Sequence, residues 1–165
     1  MDNTIIQWNC RGFNHKIEDI KLFIKHYNPI AFCLQETFLK NDNTITLKNY
    51  TFYNLLSLND NGKASGGVSI VVRNDIPQRE IQLNTNIQAK AVQITAGKTF
   101  ALCCIYLPPS AEVEQQELDD LLLQMPSPRM ILGDFNAHNK IWGCNDNNTR
   151  GNIIENFIMK HDQIG

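Results

Sequence analysis

Dense apolar runs a few residues long alternate along this chain with stretches in which apolar side chains return every three or four positions. That is the pattern of strands interleaved with amphipathic helices. Residues 4–9 are β-branched and aromatic-rich and predict a first strand ending at Cys10-Arg11-Gly12. Ile17, Ile20, Phe23, Ile24 and Tyr27 then recur at helical spacing until Asn28-Pro29 stops them. Residues 30–35 are nearly continuous in apolar character, as in a strand buried on both faces. This strand–helix–strand opening predicts a parallel, right-handed crossover. The middle predicts strands over 50–56, 68–72, 88–95 and 99–107, the last two joined by a turn at Ala96-Gly97-Lys98. Residues 59–67 hold three Gly among polar neighbours and read as an exposed loop. After Pro108-Pro109, a helix over about 112–125 has Val113, Leu118, Leu121, Leu122 and Met125 on its apolar side. Pro126 and Pro128 close it, and Met130-Ile131-Leu132 forms a short buried strand running into Gly133-Asp134-Phe135-Asn136. Beyond an Asn-rich loop, Ile153, Ile154, Phe157 and Ile158 predict a last helix.

A length of 165 residues leaves room for one domain, and 42% apolar with 19% charged residues suffices for a core. Collagen-like, coiled-coil and wholly disordered readings are excluded on that composition. No apolar run, Leu121-Leu122-Leu123 included, approaches the roughly 20 residues a membrane span needs, so no membrane partner is expected. Lys and Arg number 15 against 17 Asp and Glu, a formal net charge of −2. Non-specific coating of nucleic acid by bulk charge is therefore disfavoured. An enzyme that supplies positive charge locally, through a metal ion or a basic patch, stays open. The cysteines, Cys10, Cys33, Cys103, Cys104 and Cys144, are odd in number and form no Cys-x-x-Cys. Cys103 and Cys104 are adjacent and face opposite sides of a strand, so reduced thiols and an intracellular location are expected.

Polar groups stand at the ends of apolar strands: Asn9 after the first, Glu36 after the second, and Asp134 with Asn136 after the late one. Ligands of α/β sheets collect beyond strand ends, and carboxylates with amides offer the oxygen donors that Mg²⁺ or Mn²⁺ prefers. His15, His26, His138 and His161 lack zinc-ligand spacing. Walker, nucleophile-elbow and dinucleotide motifs are absent from the sequence, which leaves metal-assisted hydrolysis. Taken singly, each residue has a plainer role. Asn9 fits a loop cap, Glu36 a solvated strand end, Asp134 a turn residue, and Tyr106 a core residue with its hydroxyl at the surface. His138 fits either a DNA contact or a loop-packing residue, and Trp8 and Trp142 read as core or loop anchors.

Four segments in order carry a resemblance: Gln7-Trp8-Asn9-Cys10-Arg11-Gly12, Leu34-Gln35-Glu36-Thr37, Tyr106-Leu107-Pro108-Pro109 and Gly133-Asp134-Phe135-Asn136. Together they resemble the successive motifs of the endonuclease/exonuclease/phosphatase superfamily. The extension through Ala137-His138-Asn139-Lys140-Ile141-Trp142-Gly143, with Thr149-Arg150-Gly151, resembles the apurinic-like endonuclease domain of insect-type non-LTR retrotransposons, the jockey and R-element clades. The resemblance implies an α/β fold, a DNase-I-like two-sheet sandwich with flanking helices. It implies a Mg²⁺-dependent endonuclease, with Mn²⁺ able to substitute, that nicks duplex DNA and leaves a 3′-hydroxyl to prime a reverse transcriptase domain of the same polyprotein in the nucleus. It also implies roles: Glu36 as principal metal ligand with Asn9 beside it, and Asp134 orienting or deprotonating water. Asn136 would contact the phosphate and steady Asp134, and Tyr106 would reach the same phosphate. The alternatives are a phosphatase or phosphodiesterase of the same superfamily and a non-catalytic nucleic-acid-binding remnant.

Two features depart from the family. Arg11 stands where apurinic endonucleases often carry an acidic residue, which argues against abasic-site specificity. The family's later Asp, its Ser-Asp-His motif and its final strands have no counterpart here, so residues 1–165 read as a single, C-terminally truncated domain, expected to be poorly soluble and weakly active.

Overall fold

The opening alternation becomes β1 (Ile5–Asn9), α1 (Phe13–Tyr27) and β2 (Ala31–Gln35), with β1 and β2 paired in parallel from Ile5 opposite Ala31 to Asn9 opposite Gln35. The computed structural model describes residues 3–41 and 46–161. The helix starts at Phe13, ahead of the first periodic residue, Ile17, because Phe13 is fully buried and the loop after β2 meets its first donors. Gly12 N donates to Glu36 O at 2.7 Å and Phe13 N to Thr37 O at 2.9 Å. At the other end Asn28 turns left-handed, as helix C-termini commonly do, and Pro29 follows.

β4 (Val68–Arg73) lies antiparallel between β2 and β3 (Tyr50–Leu55), so the first sheet has the order β1-β2-β4-β3. The second sheet has the order β5-β6-β7-β8, from β5 (Gln78–Ile81), β6 (Gln88–Ala96), β7 (Lys98–Tyr106) and β8 (Arg129–Asp134). β6 and β7 form the anticipated hairpin about Gly97, and β7 and β8 are parallel, with Tyr106 opposite Asp134. α2 (Gln115–Leu123) and α3 (Thr149–His161) complete the described elements.

Three apolar clusters make this a layered α/β sandwich with helices outside. Cys33, Val68, Ile70, Val92, Leu102 and Cys104 fill the space between the sheets. Phe13, Ile20, Phe32, Leu34 and Val71 pack α1 on the outer face of the first sheet. Ala91, Cys103, Ile105, Leu118, Leu121, Ile154 and Phe157 pack α2 and α3 on the second. Cys103 and Cys104 do face opposite sides, and all five cysteines are free thiols. No helix among the described residues is long and apolar enough to cross a membrane.

Several expectations are corrected. β5 escapes the hydrophobic pattern because Gln78-Arg79-Glu80 is polar; it is an edge strand paired on one side. β8 is also an edge strand, so Met130 is 43% exposed where a buried strand was expected. The loop over 59–67 is exposed at its tip, but Gly66 and Gly67 are buried and their carbonyls accept from Phe38 N and Thr37 N. α2 starts at Gln115 rather than 112, behind a capping box of Glu114 and Glu117. The Asn-rich loop contains a 3₁₀ turn, Lys140–Trp142, which Asn139 caps by accepting from Ile141 N at 3.0 Å.

Candidate active site

Two parallel strand pairs end at the same edge of the sandwich, and that register assembles the site. Pairing of Asn9 with Gln35 puts Glu36 one residue beyond β2, beside Asn9. Pairing of Tyr106 with Asp134 does the same across the second sheet, and Leu107 N donates to Asp134 O at 2.9 Å to hold the two ends flush. Asn9 then spans the sheets. Its Nδ2 donates to Glu36 Oε1 at 2.8 Å and to Asp134 Oδ2 at 2.8 Å, although residues 9 and 134 lie at opposite ends of the sequence. Tyr106 Oη donates to the same Glu36 Oε1 at 3.0 Å. All five sequence-derived site residues are thus brought together: Asn9, Glu36, Tyr106, Asp134 and Asn136.

The contacts refine the roles. Asn9 turns its nitrogen to the carboxylates, while its Oδ1 accepts from Arg11 N at 3.3 Å. It caps the following loop with its oxygen and bridges the two acids with its nitrogen. Asn136 steadies Asp134 through its backbone, N donating to Asp134 Oδ1 at 3.0 Å, while its side-chain Nδ2 donates to Leu107 O at 3.0 Å. Tyr106 is buried, and its phenol is pushed up to about 12, first by burial and then by the hydrogen bond and negative charge of Glu36, with Asp134 adding to it and Arg11 opposing. It therefore stays a neutral donor at every working pH.

The backbone is strained where the side chains matter. Arg11, Glu36, Phe38 and Asn136 have φ of 45°, 50°, 50° and 45°, in the left-handed region that non-glycine residues visit at a cost of about 1–3 kcal/mol. Gly133 is a close-approach position: a Cβ there would lie 1.9 Å from Ile105 O, so only glycine lets β8 deliver Asp134 at this height beside β7. Beneath the site, buried Gln35 accepts from Gln7 Nε2 at 2.5 Å and donates to Cys33 O and Cys104 Sγ, each at 3.1 Å.

An open groove of about 740 Å³ runs from Asn9 and Asp134 past Asn136 and His138 to Trp142 and the apolar face of α3. His138 is an exposed groove residue whose ring lies 3.4 Å from Asp146, while its backbone is clasped by Asn148. Trp142 is the loop anchor the sequence suggested, donating from Nε1 to Ala137 O at 3.1 Å, and Trp8 packs edge-on against Phe23 at 5.5 Å. Among the described residues no three His, Cys, Asp or Glu side chains converge on one point. The acidic set is Glu36 with Asp134, and Glu36 Oε2 has no protein donor among the described residues.

The Thr149-Arg150-Gly151 segment also acquires a physical meaning. Asn148 Oδ1 accepts from Gly151 N at 2.7 Å and from His138 N at 3.1 Å, starting α3 ahead of its apolar periodicity. A Cβ on Gly151 would lie 1.8 Å from His138 O, so glycine admits the loop against the helix. Arg150 reaches back to the site loops, a contact with no trace in hydrophobic patterning.

The site thus gathers paired carboxylates and amides at the ends of parallel strands of a two-sheet α/β sandwich. The chain belongs to the Endonuclease/Exonuclease/phosphatase family, whose model matches residues 6–162. Endonucleases of this superfamily are generally divalent-metal dependent. Among curated proteins it is similar to a probable RNA-directed DNA polymerase from transposon BS of Drosophila melanogaster, 28% identical over 89% of this chain and 17% of the relative. It is similar also to the probable RNA-directed DNA polymerase from transposon X-element of the same fly, 27% identical over 98% of this chain and 18% of the relative. The chain thus spans less than a fifth of these relatives. Among solved structures it is similar in fold to the endonuclease domain of TRAS1, a telomere-specific non-LTR retrotransposon, with a TM-score of 0.73 and 17% identity over 94% of this chain and 70% of that one.

Proposed function

We propose that this chain is the endonuclease domain of a non-LTR retrotransposon polyprotein. It hydrolyses a phosphodiester of duplex DNA and leaves a 3′-hydroxyl from which a reverse transcriptase domain of the same polyprotein primes synthesis, in the nucleus. The observation that supports this most is the three-way junction of Glu36, Asn9 and Asp134 across two sheets, with Tyr106 on the shared Glu36 oxygen.

The donor set fits Mg²⁺, with Mn²⁺ as substitute. Both acids are hard oxygen donors, and Glu36 Oε2 is free of protein donors among the described residues. Mg²⁺ sites use one or two carboxylates and leave the other positions to water and substrate phosphate. Glu36 would hold the ion with Asn9 beside it, and when bound the ion supplies charge stabilisation for the phosphoryl oxygens and the leaving oxygen. Asp134 orients the attacking water and takes its proton, held for that task by Asn9 Nδ2 on one oxygen and Asn136 N on the other. Asn136 and Tyr106 are neutral donors beside the same acids and meet the phosphate without adding negative charge.

Nicking of supercoiled plasmid, with Mg²⁺ and with EDTA, tests the reading, alongside release of phosphate from a small phosphate ester. Plasmid is expected to be nicked only with metal, and the ester to be left intact. Asp134→Asn keeps the shape and removes the base, so nicking is expected to fall about 10²–10⁴-fold with DNA affinity little changed. A parent rate in that variant, or ester hydrolysis without nicking, would overturn the reading.

A further inference from the structure

We propose that Arg150, which touches neither acid of the site, is its positioning residue: one guanidinium fixes the loop after Tyr106 and the loop after Asp134 against each other. The inference rests on the nuclease reading for its effect on rate, and on geometry alone for its effect on structure. Nη1 donates to Leu107 O at 3.4 Å, Phe135 O at 3.3 Å and Asn136 O at 3.3 Å. Nη2 donates to Pro108 O at 2.9 Å, Pro109 O at 3.3 Å and Ala111 O. Six carbonyls from two loops converge on one side chain.

The chemistry of those loops explains why such a contact exists. Pro108 and Pro109 have no N–H, so this segment cannot be tied down by its own amides. Within the segment, Ala111 N donates to Pro108 O at 3.0 Å. On the other side Asn136 sits at φ 45°, a conformation that persists only when its surroundings determine it. Arg150 takes the Asn136 carbonyl, and Leu107 O accepts both from Arg150 and from Asn136 Nδ2. The guanidinium therefore sets where the Asn136 amide points and how its backbone N meets Asp134. A planar fork whose two amino nitrogens spread four N–H over a wide arc can share them among acceptors on both loops; an ammonium, a compact point charge, gathers its three donors at one point and cannot reach both. Asn148 and Gly151 plant the residue at the start of α3, so the helix serves as its mount.

The test compares the full chain with Arg150→Ala and Arg150→Lys by amide hydrogen exchange and by plasmid nicking with Mg²⁺. For both variants we expect loss of protection at Leu107, Ala111 and Asn136 with the amides of β6 and β7 unchanged. In nicking, kcat is expected to fall about 10²-fold, as for a misplacement of about 1 Å, with KM little changed. Added guanidinium is expected to restore part of the rate to Arg150→Ala and none to Asp134→Asn. Unchanged exchange in the two loops overturns the proposal. So does loss of protection throughout the sheets, which makes Arg150 a residue of the fold, and so does a kcat equal to the parent's. If the parent itself nicks no DNA, the nuclease reading fails, and the exchange data alone judge the positioning.

Discussion

Asn9→Asp changes one atom at the point where the two sheets meet. The nitrogen it replaces lies 2.8 Å from Glu36 Oε1 and 2.8 Å from Asp134 Oδ2, so two donated hydrogen bonds become two repulsive contacts. With charge centres about 4 Å apart and an effective dielectric near 20, each repulsion is about 4 kcal/mol. Solvent at this half-buried site and small shifts of the three side chains leave a net cost of about 2–4 kcal/mol. For a domain of this size each kcal/mol lowers the melting temperature by about 2–4 °C, so the variant should melt roughly 10 °C below the parent in EDTA. Saturating Mg²⁺ should reverse much of that difference, because a third carboxylate converts the repulsion into cation affinity. Binding to the folded state alone adds about 2.7 kcal/mol when the ion is at 100 times its dissociation constant. Thermal melts of both proteins, in EDTA and in Mg²⁺, measure the two effects. Equal melting in EDTA would mean that Asn9 does not bridge the acids. A Mg²⁺ gain no larger than the parent's would mean that the cluster is not where the ion binds.

Three further outcomes follow from other contacts. Gly133→Ala places a methyl 1.9 Å from Ile105 O, and the forced shift of β8 should cost about 1–3 kcal/mol, read in a urea melt. An unchanged midpoint would contradict the close approach. Tyr106→Phe should remove from the ultraviolet pH titration a phenol ionising near pH 12. Folding favours the neutral phenol, so its stabilisation is complete below the ordinary tyrosine range and disappears as pH rises through about 12. Loss of a phenol titrating at the ordinary value would refute this. Asp119, buried on α2, accepts from Lys160 and His161 of α3 at 2.7 Å each, and the first and then the second of these hold its carboxyl below the usual range. Asp119→Asn should therefore lose about 1–3 kcal/mol near neutrality. The gap to the parent should close as pH falls through that lowered value, and a gap constant with pH would exclude the ion pair as its cause.

Local pattern was enough for most elements and for several of the polar groups that the fold brings together. β2 reads as a strand because its whole apolar run is buried, and α1 reads as a helix because its apolar residues return every three or four positions. Asn9, Glu36 and Asp134 stand out because polar residues interrupt apolar runs at strand ends, a signal that needs no knowledge of what lies nearby. β5 escaped because an edge strand is paired on one side and tolerates polar residues, which removes the hydrophobic signal; β8 was legible as a strand, and only its burial was overestimated, for the same reason.

Which groups are available is legible from residue order alone: two carboxylates, two amides and a phenol, each at or near the end of a strand, on a chain with too little positive charge to hold DNA in bulk. Tertiary structure decided what each group does. That Asn9 donates to both acids depends on the pairing of β1 with β2, the pairing of β7 with β8, and the stacking of the two sheets, none of which is a local property of residues 7–12. Arg150 is the sharper case. One arginine among 15 cationic side chains has nothing in its neighbours' periodicity to distinguish it. Its six carbonyl partners lie 14 to 43 residues away and converge only once α3 is docked on the second sheet. A hydrogen-bond fork is specified by where the acceptors finish in space, and that is fixed by packing rather than by sequence neighbours.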